Sequence, residues 1–230
     1  MGKADLARKL AFENIERQKR GLPEIENTKK QNKDIHKKIY YSSMKVVKYL
    51  CKFAPIYLIY GNVEPESSRD KKDYRKLGVP FLTDSLKKIK NVRVINNKIV
   101  KFKGLKIGGL HYFTDTSWVK EFKPSDYKER MNEAKKETIK ARRILKKFKK
   151  ADILICHQPP YRILDKVTAK FAPKHWRGKH AGSRVILNYL KKYKPRYVFC
   201  GHIHEGEGFK KIEKTEVYNL GIGGYKTINI

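Results

Sequence analysis

Three apolar runs in this chain stop abruptly, each on residues that can bind an ion or a ligand. Ile56–Tyr60 (IYLIY) ends at Gly61-Asn62, Asp152–Cys156 (DILIC) ends at His157, and Tyr197–Cys200 (YVFC) ends at Gly201-His202-Ile203-His204. Short apolar runs rich in β-branched and aromatic residues, bounded by Gly, Pro or Asn, read as buried strands. In α/β sheets, ligands bind beyond the carboxyl ends of the strands. The three runs therefore deliver polar groups to one rim, and any fold for this chain has to bring that rim together.

Helices and further strands are expected around and between these runs. Asp5 to Arg20 has a helical apolar stripe, closed by Gly21 and Pro23. Lys29–Lys38 is polar and basic and is expected to be a loop. His36–Phe53 is helical, with Ile39, Tyr40, Met44, Val47, Leu50 and Cys51 on one side. Phe81–Ile89 makes a short helix. VRVI, KIVKF and LKIGGL are strands, with Asn96-Asn97 as a turn. Pro124-Ser125 caps a long basic helix to about Lys149. Tyr161–Ala181 is a loop holding His175, Trp176 and His180. Ser183–Lys192 is a helix, and Gly208–Ile230 offers short strands around Gly221, Gly223 and Gly224. Strands alternate with helices in the middle and pair locally toward the end, which is a mixed α/β architecture.

Bulk properties narrow the partners. With 230 residues, 40% hydrophobic and 11% aromatic, the chain can bury a core, and one domain spanning residues 1–230 is expected. Its 55 Lys and Arg against 23 Asp and Glu give a net charge of +32, a field that gathers phosphate-bearing partners. The basic residues are spread over many segments, so a lysine-rich solvated surface is the plainer reading. The 3 cysteines are odd in number, and Cys156 and Cys200 sit inside apolar runs, as reduced buried thiols of a cytoplasmic protein do. No apolar run approaches the ~18 residues of a membrane span, and a membrane partner is not expected.

At the rim, imidazole nitrogen and amide oxygen suit borderline metals such as Zn, Mn, Fe or Ni. Gly201 is expected to supply the sharp turn that faces both following imidazoles inward. Pro159-Pro160 stiffens the exit from His157. Water on a metal held there would attack at neutral pH. Singly, each residue has a plainer reading: Asn62 as a left-handed turn residue, a histidine after a strand as a solvent-facing side chain.

GNVE (Gly61–Glu64), CHQPP (Cys156–Pro160) and GHIH (Gly201–His204) resemble, in order and spacing, blocks of the calcineurin-like metallophosphoesterase family. KHAGSRVILNYLKKYKPRYVFCGHIHEGEG is similar to that family's run into its last block. The likeness extends from about Ile56 to the C-terminus. It implies two mixed β-sheets packed as a sandwich flanked by helices, with a two-metal centre at one edge that holds phosphate oxygens during in-line displacement. Carried over by motif, Asn62, His157 and His202 bind the second divalent metal and His204 the first. Asn62 and His180 meet the substrate.

The chain also departs from the family pattern. A D-x-H block and a G-D block, whose carboxylate bridges the metals, precede these in the family. Asp34–His36 has the letters of the first but sits in a lysine-rich stretch with no apolar strand before it; a helix N-cap at Asp34 is the plainer reading. GKADLARKLAFENI resembles the segment just after the G-D block. The expectation is a chain that starts downstream, about fifty residues short and lacking N-terminal strands. Four neutral ligands hold at most one cation well, so impaired hydrolysis is expected of the chain as written. Val63 stands where many members have a histidine that protonates the leaving group, with Glu64 next. Acid catalysis then falls to His111, His180 or water. His180 could instead cap the helix at Ser183.

The leading function is a metal-dependent phosphoesterase acting on a phosphodiester or phosphomonoester, such as a nucleotide. The alternative is a catalytically impaired protein of the same fold that binds nucleic acid or another polyanion, supported by charge and by Tyr161 and Trp176 beside Arg162 and Arg177. A single-metal sensor or structural zinc protein is the weakest reading, because structural sites prefer cysteine.

Overall fold

The computed structural model describes residues 3–62 and 68–229. In chain order the helices are α1 (Lys3–Lys19), α2 (Lys29–Leu50), α3 (Ser68–Leu77), α4 (Leu82–Lys87), α5 (Thr116–Phe122), α6 (Tyr127–Phe148) and α7 (Arg184–Tyr193). The strands are β1 (Ile56–Leu58), β2 (Val92–Val94), β3 (Lys98–Phe102), β4 (Leu105–Leu110), β5 (Ile153–Cys156), β6 (Tyr197–Cys200), β7 (Gly208–Ile212) and β8 (Thr215–Asn219).

Two sheets form. β1 and β2 make a parallel pair, and the larger sheet runs β3-β4-β5-β6-β8-β7. In the larger sheet β4, β5, β6 and β8 are parallel, and the antiparallel β3 and β7 flank them. This is the mixed α/β, two-sheet architecture expected from the sequence, except that the smaller sheet is purely parallel.

Period-two alternation along the strands divides the interior. Ile153 and Ile155 of β5 and Tyr197 and Phe199 of β6 face the small sheet, packing with Ile95, Tyr57 and Ile59. Leu154, Cys156, Val198 and Cys200 face the other way, against Ala141, Leu145 and Phe148 of α6 and Val185, Ile186 and Leu190 of α7. Beyond the small sheet, Met44 of α2 and Leu82 and Leu86 of α4 form a third apolar layer with Tyr60. The order is helices, small sheet, large sheet, helices. Each fully buried Leu, Ile or Val in these layers contributes about 1.5–3 kcal/mol. Gly108 and Gly109 of β4 permit the close stacking. A Cβ at Gly108 would lie 2.8 Å from the Phe148 ring, and one at Gly109 would lie 2.5 Å from the Ile95 carbonyl oxygen.

Several local expectations need correction. Lys29–Lys38 is helical, because Thr28 and Gln31 form a reciprocal capping box: Gln31 N–H donates to Thr28 Oγ1 (3.2 Å) and Thr28 N–H to Gln31 Oε1 (2.8 Å). Asp34 therefore lies inside α2 and caps nothing. Ile39 and Leu50 are exposed while Met44 is buried. The strand at Ile56 ends at Leu58 and is half-buried. α6 begins at Tyr127 after Asp126 rather than at Pro124-Ser125. The last strands precede Gly221. No described helix is long and apolar enough to cross a membrane.

Candidate active site

The alternation that builds the core also aims the site. Cys156 faces α6 and α7, so the next residue, His157, points to the cleft between the sheets. Leu110 closes β4 with its side chain on the same helix face as Cys156, which sends His111 to that cleft too. Asn62 arrives from the small sheet. Tyr60 N–H donates to Asn96 Oδ1 (2.9 Å), and His111 N–H donates to Asn97 Oδ1 (3.2 Å). The two asparagines, legible in the sequence only as a turn, thus brace two rim segments.

His157 Nε2 lies 2.8 Å from Asn62 Oδ1 and 3.0 Å from His202 Nδ1. The two imidazole centroids are 4.8 Å apart, and the Tyr112 ring packs on both, at 5.6 and 5.5 Å. Burial pushes the His157 pKa down to about 4, and the imidazoles of His111 and His204 add to the shift. A neutral imidazole is the form that ligates metal. Burial also raises the Tyr112 phenol.

One observation tests whether a cation fits. His157 Nε2 faces two acceptor-capable atoms, and a neutral ring nitrogen can donate only one hydrogen. An amide oxygen and two imidazole nitrogens around one cation resolve that conflict, and they suit a borderline metal. The donor set fits a single ion held by neutral ligands. Among the described residues, no three His, Cys, Asp or Glu side chains form a metal-holding group. The candidate centre relies on Asn62 as its third donor. His204, in a single 3₁₀ turn (His204–Gly206), influences His157 electrostatically.

The supporting contacts come from residues the sequence did not single out. Asn219, buried at the end of β8, donates to Leu164 O and Ile203 O (both 2.9 Å) and accepts from Gly221 N–H (3.1 Å). It fixes the Gly201–His204 loop. Glu205 Oε1 accepts from Thr168 N–H (3.2 Å) and Ala169 N–H (3.3 Å), tying that loop to the 161–181 segment. Gly201 N–H donates to His157 O (3.0 Å), joining the exits of β5 and β6. A lone Asn or Glu carries no sequence signal for such bracing.

His180 is held by a carboxylate. Its Nδ1 is 2.7 Å from Asp165 Oδ1, and Asp165 is buried, its Oδ2 accepting from Arg162 N–H (2.8 Å) and Gly182 N–H (3.0 Å). This carboxylate fixes the orientation of the ring. His180 does not cap α7; Ser183 does, through Ile186 N–H (3.2 Å). The 180–183 segment is stitched to the exit of β5 by Ser183 N–H to Pro159 O (2.9 Å) and Tyr161 N–H to Ser183 O (3.0 Å). His36 is remote from all of these, with Nδ1 3.0 Å from the Tyr74 hydroxyl. Val63 and Glu64 lie outside the described residues.

Two other expectations change. Tyr161 is buried under Arg184, whose guanidinium carbon is 4.0 Å from the ring centroid. Trp176 packs edge-on against Phe12, Trp118 and Phe122. Neither ring is an open stacking platform. Cys156 and Cys200 are free and buried, and their thiols donate to Phe199 O (3.7 Å) and Tyr218 O (3.4 Å). Burial raises the Cys156 thiol to about 12 and the Cys200 thiol well above its usual value, so both are protonated, unreactive core residues.

No curated protein matches the chain. Among solved structures, the TT1561 protein of Thermus thermophilus is similar at 17% identity, covering 78% of this chain and 84% of its own, with a TM-score of 0.42. A candidate 5'-nucleotidase of Staphylococcus aureus, solved in complex with alpha-ketoglutarate, is similar at 17% identity over 79% of this chain and 35% of its own, TM-score 0.42. The family profile described as calcineurin-like phosphoesterase matches residues 30–206, from α2 through the Gly201–His204 loop. With that match over most of its length, the chain belongs to the calcineurin-like phosphoesterase family.

Proposed function

We propose that the protein is a metal-dependent phosphoesterase that hydrolyses a phosphodiester or a nucleotide-type phosphomonoester. The observation that carries this reading is the meeting of Asn62, His157 and His202, from three strand ends far apart in the chain, at 2.8 and 3.0 Å. These three side chains would hold one divalent cation (Mn, Fe, Zn or Ni), with His204 beside them. When bound, the cation supplies Lewis acidity and a water acidic enough to act as nucleophile. The chain's own residues do the rest. The low proton affinity of His157 keeps it an acceptor at neutral pH. Tyr112 covers both imidazoles and limits water access to them. Asn62 and His180 meet the substrate. Asp165 holds His180 Nδ1, which leaves Nε2 to give a proton to the leaving oxygen; His111 is the other candidate for that role.

The donors are neutral, so affinity for the cation is modest, and good leaving groups are favoured. The test is turnover of a chromogenic phosphodiester with added Mn²⁺. Chelator should abolish it, and His157→Ala or His202→Ala should cost more than the ~10–100-fold typical of losing an outer-sphere partner. Turnover that survives both substitutions would refute the assignment. A polyanion-binding role without turnover is the second reading. It has lost its aromatic support at Tyr161 and Trp176 but keeps the net charge of +32.

A further inference from the structure

α6 and α7 lie side by side on the large sheet and leave a cleft of about 310 Å³ between them. Arg142, Lys146 and Lys192 line it, together with Asn188, Tyr193 and the apolar Leu145. Every charged residue from Lys140 to Lys150, and from Arg184 to Lys194, is a lysine or arginine. Among the described residues, ion pairs engage Arg130 of α6 and Lys194, just after α7, but not Arg142, Lys146 or Lys192. The cleft thus lies between two acid-free basic stretches, with Glu137 one turn or more before Arg142 and Asp152 bearing on Tyr189 as the nearest acids in sequence.

Its walls are fixed. The Tyr189 hydroxyl donates to Lys149 O (2.9 Å) and accepts from Ala151 N–H (3.3 Å), and the Tyr193 ring packs against Tyr189 with centroids 5.0 Å apart. Lys192 Nζ sits 5.3 Å from the Tyr193 centroid. Both helices lead into the starts of β5 and β6, on the outer face of the large sheet. The histidines occupy the opposite strand ends, in the cleft between the sheets.

We propose that the α6–α7 cleft binds the sugar–phosphate backbone of a single-stranded nucleic acid, as a groove separate from the histidine site. Arg142 and Lys146, one turn apart on α6, and Lys192 on α7 present three cations to a phosphate backbone. A held tyrosine face and an exposed amide suit an unpaired base, which presents both a π-face and a hydrogen-bonding edge.

The test is fluorescence anisotropy with a labelled single-stranded oligonucleotide over a salt series. The charge-reversed variant Arg142→Glu/Lys146→Glu/Lys192→Glu is compared with Lys98→Glu/Lys101→Glu/Lys103→Glu on β3 and its turn, which carries the same charge change. The first should weaken binding at least about 10-fold and lower the slope of log affinity against log salt by about 2, from ~0.7 per lost phosphate contact. The second should retain most of the affinity. The milder Arg142→Gln/Lys146→Gln/Lys192→Gln should show the same loss of slope with the wild-type circular dichroism spectrum. Equal losses in both charge-reversed variants would overturn the proposal in favour of a diffuse field. Tighter binding to duplex, or binding only to vesicles of anionic lipid, would overturn it as well.

Discussion

His202 carries the bend after β6 in its own backbone, with φ at 66°. Parity explains why. Cys200 faces the helices, so residue 202 of an extended strand would face them too, away from His157. A left-handed residue breaks the alternation and turns the imidazole into the cleft, at the ~1–3 kcal/mol cost of holding a non-glycine residue there. Gly201, which the sequence marks as the hinge, has no positive φ, and a Cβ added there would meet nothing nearer than Gly221 O at 3.9 Å. Gly201→Ala should therefore change stability by no more than about 0.5 kcal/mol in urea denaturation and leave the site's chemistry intact. A loss several times larger would place the bend at 201 after all.

Elements are joined by a few buried polar groups, and Asp115 is the clearest. One oxygen of this buried carboxylate accepts from Ser117 N–H (2.9 Å), capping α5. The other accepts from Ser183 Oγ (2.5 Å) and Val185 N–H (3.1 Å) at the start of α7. A single side chain thus satisfies two helix N-termini and sets the segment that carries His180. Asp115→Ala should cost about 3 kcal/mol, one cap plus charge-assisted bonds left unmade, measured by chemical denaturation. The α2–α3 junction behaves differently. His36 is bonded to Tyr74, and burial holds its pKa below the ordinary 6.5. The unfolded state then binds more protons just below that value. The neutral ring's contribution is present above it and is lost as pH falls toward the folded pKa. Stability should decline as pH falls below about 6.5, and His36→Gln should flatten part of that decline.

Across the whole molecule, a net charge of +32 makes the folded state repel itself. The described lysine and arginine ion pairs are few and surface-exposed, for example Lys71–Asp84 (2.5 Å) and Lys194–Glu213 (2.6 Å), and cannot offset that field. Raising NaCl from about 50 mM to about 500 mM shrinks the Debye length to a few ångströms, so Tm should rise by several degrees. A Tm that falls with salt would mean that local pairs outweigh the global repulsion. In the proposed reading, the part of that charge carried by α6 and α7 serves the outer helix layer, on the far side of the large sheet from the inter-sheet cleft.

Local rules reach only part of this. The apolar runs announced β5 and β6, and two-residue periodicity fixed which of their side chains face the small sheet. The three motif blocks marked Asn62, His157 and His202, whose side chains the fold brings together, and they pointed to the family. The capping box at Thr28 and Gln31 was readable too, yet a basic composition hid it. What only tertiary structure decided are contacts between residues distant in the chain: the left-handed turn at His202, the Asn96, Asn97 and Asn219 braces, the Asp165–His180 pair, and the burial of Tyr161 and Trp176. A side chain's hydrogen-bond partner and exposure depend on what folds against it, and one residue's identity does not encode that.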